Sequence, residues 1–400
     1  MQTIHPENEC IRSEPIRVMH FRASPFLGSP ERLLLGRQKR LNPKECVYAV
    51  GIFNEQPGGK NDFYEALKEA GASSFLLSDS MVFFARDLLM MTRKIREFRP
   101  HLLCTHDYKS NLYGFFLSKR IGIPVLSTFH GITQKDRKIA VYQWIDARIL
   151  RSFNAILCVS QATRRKLSKR IPNIALYAVP NAVDIQQVQS LAERDLQEAS
   201  NCLEPETRTV LFAGRLSKEK GLIHLLQAAE LLAPRHPKVR FLVLGNGPEE
   251  EKMKAYVLKK HLNHSIRFLG YIKNIYAYLK LADFLVLPSL QEGMPVVILE
   301  AFALGKAVVA SRVGGIPELV QNGVSGILVE PGNAEGLGSA IESLLGNPQD
   351  LLEMGKRAYD LVTHYNFEIQ AMRYTAVYRE ILKDQLCESK APTFRDVNCA

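Results

Sequence analysis

The run EGMPVVILEAFALG, from Glu292 to Gly305, places two carboxylates around one helix start. Pro295 suits the first helical position, where its missing N–H would be unpaired anyway. Gly305 suits the stop, because glycine accepts the left-handed geometry that ends helices. Between them Val296, Val297, Ile298, Leu299, Ala301, Phe302, Ala303 and Leu304 are apolar on every face, and a helix apolar all round is a buried one. Glu300 therefore sits where an unpaired charge is costly, and something must hydrogen-bond its carboxylate. Glu292 lies just ahead of the helix, where free N–H groups and the dipole favour anions. One helix thus offers a carboxylate for hydroxyls and an N-terminus for negative charge.

Three other segments have the residue types to join it. GRLSKEKG (Gly214–Gly221) follows an apolar strand and opens a helix. Arg215 would grip a diphosphate through its planar fork and Lys220 would act as a point charge; a solvated basic loop is the plainer reading. GNGPEEEK (Gly245–Lys252) also ends a strand, and Gly245 and Gly247 permit close approach of backbone to a ligand or form a simple turn. His130-Gly131 ends the strand PVLSTFH. A histidine there is structural, or it faces a cleft and bonds a sugar-like hydroxyl or stabilises charge on a leaving oxygen. His106 is a second candidate of that kind. Gly314 and Gly315 precede a further helix start whose first turn holds Glu318, a favourable dipole partner.

Short apolar strands alternate with amphipathic helices, the pattern of parallel α/β sheets. IRVMHF (16–21), CVYAVGIF (46–53), HLLCTH (101–106), PVLSTFH (124–130) and NAILCVS (154–160) read as one series of strands. TVLFAG (209–214), VRFLVLG (239–245), IRFLG (266–270), DFLVLP (283–288), AVVAS (307–311) and GILVE (326–330) read as a second. FFARDLLMMTRKIREF (83–98), KIAVYQWIDARILRSF (138–153) and GLIHLLQAAELLA (221–233) are helical. The economical architecture is two Rossmann-like domains, 1–186 and 208–365, joined by a polar linker, 187–207. A helix from 366 crosses back towards the first domain and ends in a frayed tail. Ligands of such sheets bind at the carboxyl ends of the strands, here in the cleft between the domains.

The totals fit this reading. A chain of 400 residues exceeds one ordinary core. No apolar run approaches the roughly 18 residues of a membrane span, and the polar N-terminus resembles no signal or transit peptide. Seven scattered cysteines (10, 46, 104, 158, 202, 387 and 399) without a CxxC pair argue for a reducing compartment and against zinc. The cytoplasm is the expected location. Residues 1–185 hold 28 Lys plus Arg against 16 Asp plus Glu, and the remainder 24 against 25. The basic first half means solvated helix faces, or attraction to anionic lipid at the inner face of the plasma membrane or to an anionic acceptor. Nucleic acid is not expected, because the basic residues are not interleaved with stacking aromatics.

In order, GRLSKEKG, GNGP, PSLQEGMPVVILEAFALGKAVVAS, GGIPELV and GILVEPGN strongly resemble family 4 glycosyltransferases of the GT-B fold. That family's two glutamates with seven residues between them are matched by Glu292 and Glu300. The likeness is dense over 208–332 and thinner through LGSPERLLL, HDYKSNLYG, IPVLSTFHG, VSQATRRKL and VPNAVD. It implies a retaining enzyme that moves a hexose from a UDP- or GDP-sugar to a saccharide or lipid-linked acceptor, as in the biosynthesis of cell-surface polysaccharide, lipopolysaccharide or glycolipid. It implies that Arg215 and Lys220, beside Gly214, hold the donor diphosphate, that Glu300 bonds the ribose, and that Glu292 with the N–H groups of Gly293 and Met294 grips the sugar ahead of Pro295. His130 matches a first-domain histidine near the sugar. Where the family often has paired glycines, this chain has Gly28-Ser29-Pro30-Glu31, which restricts that loop.

No cofactor is expected: the chain has no DxD sequence to hold a metal between phosphates, so Arg215 and Lys220 would neutralise them. A dinucleotide-dependent dehydrogenase would need GxGxxG after the first strand, where the chain reads FRASPFLGSP. A glycoside hydrolase would need two carboxylates flanking one bond, whereas Glu300 is assigned to the ribose. A nucleotide-sugar epimerase or a non-catalytic binding protein of the same fold is the alternative to transfer.

Overall fold

The computed structural model describes residues 14–24, 26–54, 60–78, 84–131 and 137–387. The polar N-terminus and the tail beyond Cys387 lie outside them. Seven parallel strands form the first sheet: β1 (Ile16–Ala23), β2 (Cys46–Asn54), β3 (Ser73–Ser78), β4 (Leu102–Thr105), β5 (Val125–Phe129), β6 (Ala155–Cys158) and β7 (Ala175–Ala178), in the order β3-β2-β1-β4-β5-β6-β7. Six make the second: β8 (Arg208–Ala213), β9 (Val239–Leu244), β10 (Ile266–Gly270), β11 (Phe284–Leu287), β12 (Val308–Ser311) and β13 (Gly326–Val329), in the order β10-β9-β8-β11-β12-β13. Each order reverses beside its first strand, between β1 and β4 and between β8 and β11. Such reversals open a crevice at the carboxyl ends.

The central strands are buried on both faces and read as unbroken apolar runs. β3 and β7 escape that pattern. They are edge strands with serines or half-exposed residues along them. The stretch 187–207 is a correction to the linker reading. It carries the helices Ile185–Arg194 and Leu196–Ser200, whose Val188, Ala192 and Ala199 enter the core of the second sheet. Only one face of these helices is apolar, so the segment's overall polarity hid it.

Helix Phe367–Cys387 returns to the first sheet, where Tyr374, Val377, Tyr378 and Leu382 share a core with Val18, Tyr48 and Leu102. Arg37, on helix Ser29–Arg40, is buried beneath it. Its guanidinium lies 3.6 Å from the centre of the Tyr374 ring and donates to the Tyr48 hydroxyl (3.1 Å). The two crossings between the halves run side by side: Val183 N–H bonds the Tyr365 carbonyl and Gln370 bonds the Pro180 carbonyl.

A second buried polar knot pins helix Arg137–Leu150 to the first sheet. Asn111 donates to Asp146 (2.7 Å) and accepts from Thr105 and Ser127. Burial pushes the Asp146 carboxyl from 3.8 up to about 6. The folded chain then keeps a proton that the unfolded chain has already released, so this group's contribution to stability falls as pH rises from about 4 to about 6. The pKa difference corresponds to at most about 3 kcal/mol. Asp146→Asn is therefore expected to melt higher than wild type at pH 8 and much closer to it at pH 4. A gap of equal size at both pH values would rule out this cause.

Candidate active site

Loops at the carboxyl ends of β8, β9 and β11 build the second-domain wall. After β8 the chain runs through Gly214 and Arg215 into a short 3-10 turn, Lys218–Lys220, and then helix Leu222–Leu232. Arg215 is exposed. The loop after β9 is tied to this one: Leu216 N–H bonds the Asn246 carbonyl, and Glu249 N–H bonds the Leu216 carbonyl. Gly245 (φ +126) lies against the Gly214 carbonyl and Gly247 against that of Leu216, with no room for a Cβ at either. These two glycines are needed for the close packing of the two loops, whatever else their backbone approaches. The backbone they admit is that of the neighbouring loop.

The helix after β11 spans Val296–Ala303, and Pro295 (φ −72, ψ 122) caps it from outside instead of occupying its first turn. Proline fits there equally well, since an extended ψ is compatible with its fixed φ. No side chain caps the start, which leaves N–H groups available to an anion. Gly305 (φ +65) ends the helix as expected, with Lys306 N–H bonding the Ala301 carbonyl.

The two glutamates have partners within the protein. Glu292 Oε1 accepts from the Lys220 ammonium (2.6 Å) and from Ser289 Oγ (2.8 Å), and its side chain is 9% exposed. Lys220 and Glu292, assigned to different parts of a donor, neutralise each other here. Glu300 is 6% exposed and accepts from the Tyr276 hydroxyl (3.0 Å). Burial raises its pKa, while the Arg32 guanidinium and the Tyr276 bond oppose the rise. The partner demanded by its apolar surroundings is therefore a tyrosine, and a ligand is not required to satisfy it. Glu300, Tyr276, Val296 and the first-domain Arg32 line a cavity of about 500 Å³. Glu292 lines another of about 250 Å³, with Phe129, Gly131, Lys166, Arg170, Leu290 and Val313.

In the first domain three imidazoles stack in a row. His20 and His106 have ring centres 5.3 Å apart, His106 and His130 5.9 Å, with interplanar angles of 26° and 23°. Burial holds His20 and His106 well below their ordinary range and brings His130 down to about 3. His130 is consequently a neutral ring, able to act on a hydroxyl or a leaving oxygen through an N–H rather than through a charge. Its Nε2 has no hydrogen-bond partner among the described residues. His106 turns inward, its Nε2 3.0 Å from His20 Nδ1. Cys104 joins these two to bring three metal-ligating groups within 4.8 Å, a cluster the scattered cysteine spacing did not foretell. The direct His20–His106 bond already uses two ligand atoms, and the charge of buried Arg37 acts on both histidines. Gly28 serves as the N-cap of helix Ser29–Arg40, and Glu31 pairs with Arg22 (2.8 Å).

The halves meet at the site. Gly293 lies directly on the His130 carbonyl, where a Cβ would collide, and Gly131 (φ +123) faces Gly293 from the other side. Met294 points its carbonyl and sulfur at Asn181, whose side-chain amide and backbone N–H donate to them (2.7 and 3.2 Å). Glu318 does not act on its own short helix. Its two oxygens accept from the N–H groups of Gln161 and Ala162 (2.9 and 2.7 Å), capping a first-domain helix, Gln161–Arg170, across the cleft. Sequence reasoning saw the acid in the first turn of its own helix but not the first-domain helix that it caps. Glu318→Ala removes two charge-assisted bonds between the halves. An increased radius of gyration in solution scattering is the expected result, and an unchanged one would mean the other contacts suffice.

Comparisons with known proteins follow this geometry. The family model described as Glycosyltransferase Family 4 matches residues 48–187, and that of Glycosyl transferases group 1 matches 193–361. The Escherichia coli UDP-Gal:alpha-D-GlcNAc-diphosphoundecaprenol alpha-1,3-galactosyltransferase is 24% identical over 327 residues, 79% of this chain and 84% of that one. The phosphatidyl-myo-inositol mannosyltransferase of Mycolicibacterium smegmatis is 31% identical over 263 residues, 64% of this chain and 65% of that one. Among solved structures, Anabaena HepE in complex with UDP-glucose superposes with a TM-score of 0.79 at 19% identity, covering 91% of this chain and all of that one. The two parallel sheets and this neighbour establish the GT-B fold. With one family model on each half, the chain belongs to the family 4 glycosyltransferases and is a glycosyltransferase.

Proposed function

We propose that this glycosyltransferase is retaining and metal-independent, and that it moves a hexose from a UDP- or GDP-sugar to a saccharide or lipid-linked acceptor. The observation that carries the reading is the Lys220–Glu292 ion pair beside the uncapped helix start at Val296. A donor diphosphate entering there would draw the ammonium of Lys220 onto itself and release Glu292 to receive sugar hydroxyls. Arg215, exposed on the same loop, would join Lys220. The bond from the anomeric carbon to the phosphate oxygen breaks, and charge develops on that oxygen, where fixed cations and helix N–H groups lower the barrier. The acceptor oxygen bonds the anomeric carbon from the same face. Its proton passes to the leaving phosphate, so no protein nucleophile is assigned. Glu300, with its position fixed by Tyr276, would hold the ribose.

Support for the donor comes from relatives: the Escherichia coli enzyme is named for UDP-Gal, and HepE was solved with UDP-glucose. The Escherichia coli enzyme's name gives alpha-D-GlcNAc-diphosphoundecaprenol as its acceptor, and the mycolicibacterial one is named for phosphatidyl-myo-inositol. A membrane-borne acceptor reached from the cytoplasmic side suits the basic first half. Trp144, 63% exposed with the Arg148 guanidinium over its ring, would seat at a headgroup layer. Among the described residues no helix is long and apolar enough to cross a membrane. The test incubates the enzyme with UDP- and GDP-hexoses and follows nucleoside diphosphate release and the product's anomeric configuration by NMR, with and without EDTA. Retention with EDTA-insensitive turnover is expected. Inversion would overturn the mechanism, and activity lost to EDTA and restored by magnesium or manganese would overturn the metal-free part.

A further inference from the structure

We infer that Arg32, on the first domain, binds the phosphate of the donor nucleotide that adjoins the ribose. This rests on the glycosyl-transfer reading and adds a donor contact from the opposite wall of the cleft. Arg32 lies near the start of helix Ser29–Arg40, an exposed residue between the buried Glu31 and Leu33. Glu31, Arg37 and Arg40 of the same helix hold the scaffold together. Glu31 pairs with Arg22, Arg37 is enclosed by Tyr48 and Tyr374, and Arg40 pairs with Asp184 and Glu368. Arg32 reaches across the cleft instead. Its guanidinium is a hydrogen-bonding partner of the Tyr276 hydroxyl, and its charge acts on Glu300.

Two neighbours fix the helix in that place without help from the cation. Leu33 packs with Ala182, Phe367 and Val296, and Gly36 leaves to the Phe367 ring the space in which a Cβ would collide with it. The helix is thereby docked beside Val296, the first residue of the helix that bears Glu300. Val296 and Glu300, four residues apart, share a face and are separated by one turn, about 6 Å along the axis. With the ribose on Glu300 and the diphosphate at the uncapped start, the phosphate next to the ribose must pass along this turn. Arg32 lines the same cavity of about 500 Å³ as Val296, Tyr276 and Glu300, a volume suited to a nucleotide. A guanidinium can bond a phosphate through two parallel N–H groups. Arg32 would then move its charge from Glu300 to the donor, as Lys220 moves its own from Glu292. Each cation is kept on a glutamate of the site until the diphosphate enters.

The test titrates the full-length protein by calorimetry with UDP and GDP, and with the monophosphate of whichever nucleotide binds. R32A is expected to weaken both the diphosphate and the monophosphate about tenfold or more, as loss of charge-assisted bonds implies. R32K should recover part of the loss. R32Q, which keeps most of the side chain's length, gives the same comparison should R32A fail to fold. A contact with the phosphate should cost the same factor in the E300Q background, so R32A/E300Q is compared with E300Q. A loss that disappears there overturns the inference, because Arg32 then acts through Glu300 and not on the nucleotide. Tighter binding by R32A also overturns it, because Arg32 then competes with the ribose for Glu300. A loss confined to the diphosphate moves Arg32 to the second phosphate and overturns the assignment. Wild type that binds one nucleotide, with R32A equal to it, overturns this inference alone. Wild type that binds neither overturns the transfer reading along with it.

Discussion

Lys220→Ala is expected to lower kcat by about 10²- to 10³-fold, the usual cost of removing one fixed donor from developing oxyanion charge, while the melting temperature changes little. Among the described residues this ammonium pairs with Glu292. Ser289 remains on the same carboxylate oxygen after the substitution, so folding loses one partly exposed ion pair. On the proposed mechanism the leaving diphosphate would lose the point charge of Lys220. Steady-state turnover and thermal melts of one preparation check both halves of the statement. A protein that melts much lower yet turns over normally would reduce Lys220 to a structural partner of Glu292. Lys220→Arg should recover only part of the rate, because the planar fork cannot occupy the space of a compact ammonium.

Glu300→Ala should weaken UDP or GDP binding by about 10- to 100-fold, the range for losing hydrogen bonds to a charged group. It also strands the buried Tyr276 hydroxyl and removes the carboxylate on which the Arg32 charge acts. Affinity and stability would then fall together and confuse the outcome. Glu300→Gln separates them. The amide oxygen can still accept from Tyr276, and the neutral group escapes the burial that raises the carboxyl's pKa. Stability equal to or above wild type, with a smaller but clear loss of nucleotide affinity, is the expected combination. Calorimetry showing unchanged affinity for both nucleotides in the Ala and Gln variants would sink the ribose assignment.

The strands at the centre of both sheets were legible because parallel strands buried on two faces must be apolar throughout. The helix at Val296–Ala303 was legible for the same reason, with its stop marked by Gly305. Edge strands β3 and β7 and the helices of 185–200 were not, since half-exposed elements dilute the pattern that reveals them. Within the site, motif spacing brought out Glu292, Glu300, Lys220 and Arg215, each next to a strand end. It could not show that Lys220 reaches across 72 residues to Glu292, or that Tyr276 and Arg32 converge on Glu300. Such pairings depend on which loops the sheet order makes neighbours. Glu318 shows the limit most clearly. Its position in a first turn suggested a local dipole, and only the docking of two domains reveals the helix it caps. His130 was found from its strand end, but its neutrality follows first from burial and then from the charges of Arg22 and Arg37, which no local signal connects to it.

The return of helix Phe367–Cys387 to the first sheet makes that half of the molecule discontinuous in the chain. Val18, Tyr48 and Leu102 share their core with Tyr374 and Tyr378, separated from them by the whole second sheet. Until helix Phe367–Cys387 has been made, the first sheet has one face uncovered, and apolar surface exposed in this way is open to aggregation. A core begun near the start of the chain is thus completed by a helix that follows the whole second sheet.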